Sequence, residues 1–318
     1  MDDVKKILIV RFSSFGDIVL TFPLINLIKK KFPGSQITFL AKSKYRSLLE
    51  INQKIDEIIT LPQDSPLATF RGELKRNSYD IVLDLQNNVK SRIVTSGLNN
   101  LSRFKKHNFE KYLLVRFKIN LLKETPPVYK RYIETLGSFV TLSKIDKEFS
   151  NSALTQIAFD TPVNNYFILA PSSRHFTKTY PKEKFVEYVN LNPDKNFILV
   201  GDNSDTDHFI CNYITDQSDN VFNLCGVLTY PELVYLINES NGVISNDSGM
   251  MHFAEAAGKP VTAIFGSTVK EFGFFPQLHN SNVIENSELS CRPCSHIGLN
   301  KCPKGHFKCM LDLNINKL

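Results

Sequence analysis

The chain has 318 residues, which at roughly 150 per domain is enough for two domains with a core each and excludes a single small stapled module. Hydrophobic residues at 42% and charged residues at 22% exclude a disordered chain, and no apolar stretch approaches the ~18 residues of a membrane span. The 38 Lys and Arg exceed the 32 Asp and Glu by only +6, a surplus that favours phosphates and acidic lipids as partners without calling for nucleic acid.

Ile7 to Val10 is the first apolar run, and Arg11 cuts it short. That is too brief for a secretory segment, so a cytoplasmic location is expected. Short β-branched runs then alternate with amphipathic ones, the pattern of parallel strands joined by crossover helices in an α/β fold. In the first half the strand candidates are Lys6 to Val10, Gln36 to Leu40, Glu57 to Leu61 and Asp80 to Leu85. Between the first two, Ile18, Phe22, Ile25 and Ile28 recur at helical spacing until Pro33-Gly34. A second series runs through Tyr166 to Ala170, Asn196 to Val200, Gly242 to Asn246 and Val261 to Phe265. The polar stretch Thr141 to Asn165 separates the two series, which predicts domains at 1–155 and 156–318.

Three loops follow strands and open helices, where open α/β sheets bind ligands. The first is Arg11 to Asp17, with Ser13, Ser14, Gly16 and Asp17 at a helix start. These residues read equally as ordinary helix caps, and the absence of G-x-G-x-x-G disfavours a dinucleotide. The second, Pro171 to Pro181, holds Ser172, Ser173 and Lys178, a set of donors suited to a phosphate or to a solvated loop. In the third, a strand ends in Asn246-Asp247-Ser248-Gly249 and a helix begins with Met250 and His252. Its first-turn N–H groups and positive dipole end suit a diphosphate. A lone histidine beside apolar neighbours, as His252 is, is more often a structural hydrogen bonder. The turn Gly266-Ser267-Thr268 follows the next strand.

Four segments in order, Ser-Ser-x-Gly-Asp at 13–17, Asp84 to Ser91, Lys178-Thr179-Tyr180-Pro181, and Asn246 to Gly249 with His252, resemble glycosyltransferase family nine. These are the bacterial lipopolysaccharide heptosyltransferases. The resemblance implies a GT-B architecture, two facing Rossmann-like domains with an interdomain cleft. It implies inverting transfer of heptose from ADP-heptose to a hydroxyl of a lipopolysaccharide core or lipid A acceptor, with no catalytic metal. Asp17 matches the general base. Lys178, Ser248 and Gly249, with Ser172 and Ser173, match positions that hold the departing diphosphate. Asp247, Met250, His252 and Thr268 match the donor pocket. Ser13, Ser14, Gly16, Lys90, Ser91 and Arg103 match the acceptor side, and Lys105, Lys106 and His107 add cations there. The resemblance also implies work at the inner face of the inner membrane, with peripheral contact. Where relatives carry Gly-Pro-Thr, this chain has Gly266-Ser267-Thr268. Another nucleotide sugar, a nucleotide-sugar epimerase or a silent carbohydrate-binding protein are the rival readings.

Four of the six cysteines, Cys291, Cys294, Cys302 and Cys309, fall within nineteen residues. Cys-x-x-Cys followed by two further thiols suits a structural zinc. A reduced structural knot and a disulfide are the alternatives.

Overall fold

The computed structural model describes residues 4–62, 66–150 and 152–316. It contains two compact units, the first formed by Met1–His107 with Val128–Thr155, the second by Asn108–Pro127 with Gln156–Leu318. Where the sequence suggests one boundary at 155, residues 108–127 thus pack with the second unit. The reason is local. Leu114 and Leu122 bury themselves against Phe272, with Val115, Val269 and Phe274 around them.

In the first unit, β1 (Lys6–Val10), β2 (Gln36–Ala41), β3 (Glu57–Thr60), β4 (Ile81–Asp84) and β5 (Leu101–Arg103) form one sheet. Its order is β3-β2-β1-β4-β5, with every pair parallel. Parallel sheets are covered on both faces, so their central strands read as unbroken apolar runs. β1 obeys this: Ile7 to Val10 are fully buried. Leu8, Val10, Leu40 and Val82 pack with Phe70, Leu74 and Val94 on one face. The helical spacing from Ile18 to Ile28 resolves into two helices, Phe15–Val19 and Phe22–Lys31. Pro23 lies in the first turn of the second, where its missing N–H costs nothing, whereas inside a continuous helix it would break a hydrogen bond.

The second unit holds β6 (Tyr166–Ala170), β7 (Asn196–Leu199), β8 (Val221–Asn223), β9 (Gly242–Asn246), β10 (Val261–Phe265) and β11 (Asn282–Glu285). These are also parallel, in the order β11-β10-β9-β6-β7-β8. Leu169, Phe185, Phe197, Leu199, Ile244 and Ile264 join one core with Met310 and Ile315 of the C-terminal segment. Each such large side chain contributes roughly 1.5–3 kcal/mol on full burial, so the tail is an integral part of this unit.

The strand orders decide where chemistry can sit. Each sheet has one point at which successive crossovers leave in opposite directions, and the loops there diverge to open a crevice. In the first sheet that point lies between β1 and β4, and in the second between β6 and β9. Among the described residues no helix is long and apolar enough to cross a membrane.

Candidate active site

At the first switch point the loops after β1 and β4 lie side by side, held by hydrogen bonds rather than by packing alone. The Gln86 side-chain carbonyl accepts the N–H groups of Phe12 (2.9 Å) and Ser13 (3.3 Å). Arg11 Nη1 donates to the carbonyl of Leu85 at 2.8 Å. Arg11 also reaches forward, and its Nη2 lies 2.8 Å from Asp17 Oδ2. The Ser14 hydroxyl (2.6 Å) and the Ser14 N–H (3.2 Å) donate to the same oxygen. Tyr132 Oη donates to Asp17 Oδ1 at 3.5 Å, from the helix Val128–Leu136.

Burial alone would raise the Asp17 carboxyl. The Arg11 guanidinium and the Ser14 donors outweigh it, and the group lies below the usual carboxylate range. Burial likewise pushes the Tyr132 phenol well up, so it stays a neutral donor. Asp17 closes a capping box with Ser14 at the start of Phe15–Val19, and it is at the same time an ionised, partly accessible carboxylate.

A second carboxylate, Asp84, ends β4 and is fully buried. It accepts from the Asn87 N–H at 2.8 Å and the Ser91 hydroxyl at 3.0 Å, and Arg103 Nε lies 3.5 Å away. Ser91, matched from the sequence to the acceptor side, is itself completely buried. Its N–H and hydroxyl pair with Asn88 in a capping box, so its place is inside the loop and not on a ligand surface. Gly16 is buried within its helix turn. Ser13 is half-buried, whereas Ser14, Lys90 and Arg103 are exposed. Lys106 is half-buried near this group, its ammonium lowered by burial and by the Arg11 charge, with Asp84 and Asp17 acting against both.

The second unit's switch point is built around an ion pair between a half-buried lysine and a buried carboxylate. Lys178 Nζ lies 2.8 Å from Asp247 Oδ2, and the Thr268 hydroxyl donates to the same oxygen. Asp247 follows β9 directly, while Asn246 locks the neighbouring loop. Its amide donates to the Pro171 carbonyl (2.8 Å) and accepts the Tyr180 N–H (2.9 Å). Ser172 and Ser173 are half-buried in that loop, with Ser173 Oγ 3.5 Å from the Asp247 carbonyl. Ser248 begins the helix Gly249–Ala256 without a side-chain cap bond, and its hydroxyl lies 3.2 Å from Ser245 Oγ. Gly249 and Met250 in its first turn are half-buried. A first turn whose cap residue does not take up an N–H suits an incoming anion. His252 is buried one turn on, its ring 6.0 Å from Phe274.

The C-terminal segment braces this site. Buried Arg292 donates to the carbonyls of Gly266, Thr268 and Asn286 and pairs with Glu285 at 2.7 Å. The Ser267 N–H donates to the Thr177 carbonyl (3.2 Å), and the Thr177 hydroxyl accepts the Leu299 N–H (2.8 Å). Thr177 adjoins Lys178, so the tail fixes both partners of the ion pair. Arg11, Gln86 and Arg292 carry much of this geometry, and their positions inside the quoted motifs were the signal available for them. Several of their partners are far away in sequence and absent from any local pattern: Leu85 for Arg11, Phe12 and Ser13 for Gln86, Gly266 and Thr268 for Arg292.

The four tail thiols are neighbours. Burial and the nearby Cys291 and Cys302 raise Cys294, and burial with Cys294 pushes Cys309 up to about 11. Cys291 Sγ lies 3.8 Å from His306 Nε2. Among the described residues no group of three or more His, Cys, Asp or Glu side chains is placed to hold a metal ion, and Cys291, Cys294, Cys302 and Cys309 are all free thiols.

The family model for glycosyltransferase family 9 (heptosyltransferase) matches residues 67–303. A lipooligosaccharide heptosyltransferase 2 of Haemophilus ducreyi is 25% identical over 88% of this chain and 88% of its own length. A lipopolysaccharide heptosyltransferase 1 of Campylobacter coli is 26% identical over 83% and 84%. Among solved structures, the ADP-heptose lipopolysaccharide heptosyltransferase II of E. coli superposes with a TM-score of 0.70 at 21% identity, covering 95% of this chain and 96% of that one.

Proposed function

The chain belongs to glycosyltransferase family 9, the heptosyltransferases, and from that premise we propose that it transfers heptose from ADP-heptose to a hydroxyl of a lipopolysaccharide core acceptor, with inversion. The first unit supplies the base. Asp17 is ionised at neutral pH, and its carboxylate takes the proton of the acceptor hydroxyl as that oxygen bonds to the anomeric carbon. The bond from that carbon to the diphosphate breaks on the opposite face, and the configuration inverts.

The second unit takes the charge that departs. Lys178, aimed by Asp247, and the first turn of Gly249–Ala256 stabilise the diphosphate as it leaves. These groups do what a divalent cation does in many other transferases, so turnover is expected to persist in chelator. Ser172, Ser173, Ser248, Met250, His252 and Thr268 line the donor side, and Ser13, Ser14, Lys90 and Arg103 the acceptor side. The reaction belongs at the inner face of the inner membrane, where such a lipid-linked acceptor is presented.

The observation that carries this reading is the Arg11–Asp17–Ser14 arrangement at a sheet's switch point. A carboxylate that only capped a helix would not need a buried guanidinium reaching forward from the end of the strand. Relatives with heptosyltransferase names support the sugar and the acceptor class. The test is mass spectrometry of products from the purified chain, ADP-heptose and truncated core oligosaccharides, with UDP and GDP sugars in parallel. The expected product is the acceptor enlarged by one heptosyl unit, with ADP released. An isomerised donor in acceptor-free reactions identifies an epimerase instead, and transfer only from UDP or GDP sugars rejects the donor.

A further inference from the structure

The donors that converge on Asp17 are divided unevenly between its two oxygens. Oδ2 takes the Arg11 Nη2 contact at 2.8 Å, the Ser14 hydroxyl at 2.6 Å and the Ser14 N–H at 3.2 Å. Among the described residues Oδ1 accepts one hydrogen bond, from Tyr132 Oη at 3.5 Å. A carboxylate oxygen offers about two lone-pair sites, so Oδ2 is fully used and Oδ1 keeps one for an incoming proton. The Asp17 side chain is 20% exposed, enough for a hydroxyl from outside to reach it.

Tyr132 is held independently of that contact. It comes from helix Val128–Leu136, 115 positions along the chain from Asp17, and is completely buried. Its ring meets Phe104 edge to face at 4.7 Å, and the Arg11 guanidinium lies 5.8 Å from its centre. Phe104 is tied down in turn, its N–H donating to the Asp84 backbone carbonyl at 3.0 Å. A ring fixed in this way leaves the phenol only its O–H rotation, and a phenol buried this deeply generally takes a partner. Asp17 Oδ1 is that partner. Burial keeps the phenol protonated, so it offers its proton in a hydrogen bond and does not compete for another.

Resting on the reading of Asp17 as the base, we propose that Tyr132 is its positioning residue: the Tyr132 hydroxyl holds Oδ1 as the oxygen that takes the acceptor proton. The acceptor O–H bond breaks and an Oδ1–H bond forms. The acceptor oxygen bonds to the anomeric carbon as the bond from that carbon to the diphosphate breaks, and Tyr132 keeps its own proton throughout. At 3.5 Å the contact is long, in the range where hydrogen bonds at such sites tighten only once substrate is bound. A residue kept for packing alone could be phenylalanine, because the Phe104 and Arg11 contacts are made by the ring. The hydroxyl serves the carboxylate.

The test removes the hydroxyl and keeps the ring. Tyr132→Phe should melt with the parent and leave ADP affinity and acceptor KM unchanged, while kcat falls about five- to tenfold, the worth of one hydrogen bond. Because a carboxylate that loses a donor is harder to ionise, the acid limb of kcat should move to higher pH. In the Asp17→Asn background the same substitution should cost nothing more. Carbon-13 at the aspartate carboxyls reads the contact without turnover. The Asp17 signal, identified by its absence from Asp17→Asn, should titrate at higher pH in Tyr132→Phe, and this decides the matter if that variant melts early. A kcat within about twofold of the parent with overlapping pH profiles overturns the proposal, as does an equal loss in the Asp17→Asn background or an unmoved Asp17 signal. Full turnover by Asp17→Asn rejects the base itself and the proposal with it, whereas a silent Tyr132→Phe beside an inactive Asp17→Asn rejects Tyr132 alone.

Discussion

Arg11 Nη2 stands 2.8 Å from Asp17 Oδ2 across six positions of chain, and that contact sets the protonation state of the group proposed as base. The carboxylate is held ready by an ion pair, and the reaction must use it in competition with that pair.

Asp17→Asn keeps an oxygen for the Ser14 N–H but cannot take a proton. Turnover should fall by about a hundredfold or more, within the range for loss of a general base. ADP affinity, measured by calorimetry, should stay within a factor of about two, because the groups proposed to hold the donor reside in the other unit. Unchanged turnover would remove Asp17 from the role.

Arg11→Gln removes the charge that keeps Asp17 low. Burial then dominates, and the carboxyl should rise above its ordinary value of about 4. Since the base must be ionised, the acid limb of the turnover profile moves to higher pH. The same pair stabilises the folded chain at neutral pH, and this contribution fades as pH falls through the ordinary carboxylate range toward the lower folded value. A profile that overlays the parent's would contradict the coupling.

Lys178→Ala leaves Asp247 buried with the Thr268 hydroxyl but without its cation. The cost should be about 2–3 kcal/mol of stability, together with at least tenfold weaker ADP binding. Asp247→Asn retains the Thr268 contact and removes the stranded charge, so it should melt closer to the parent. Thermal melts of the two variants decide between them.

Gly298 has φ +119°, and an added Cβ would lie 2.5 Å from His175 Cβ. Both the backbone and the contact oppose a side chain. Gly298→Ala should destabilise by about 1–3 kcal/mol and weaken ADP binding, because His175 belongs to the loop that carries Lys178. Calorimetry of melting and of ADP binding reads both effects.

Burial holds the Cys309 thiol up at about 11, so thiol reagents should label it slowly near neutral pH and faster as pH approaches that value. Protection that persists to high pH and vanishes with chelator would instead indicate bound metal.

Eight strands were legible, seven of them central parallel strands that must be continuously apolar and end at turn residues and the eighth, β3, an edge strand. The three that were not, β5, β8 and β11, lie at sheet edges, where Leu101, Phe222 and Val283 are only half-buried and the pattern thins. The loops of the candidate site were legible for the same reason as the strands, since they begin where the apolar runs stop. Their internal wiring was not. Ser91 reads as an acceptor-side residue until Asp84 is seen beside it, and Arg292 reads as part of a cysteine motif until its carbonyl partners appear. An amphipathic helix such as Asn108–Phe117 reveals that it has an inner face but not which core receives it.

The chain passes from one unit to the other three times, after His107, after Pro127 and after Thr155. Truncation at 155 would therefore not excise a clean half. It would leave Leu114 and Leu122 stranded in water without Phe272, and strip the remaining piece of a stretch of its own interior. Halves that fold separately would have to be spliced: the first with 107 joined to 128 by a short linker, the second with its missing twenty residues returned as a detached peptide.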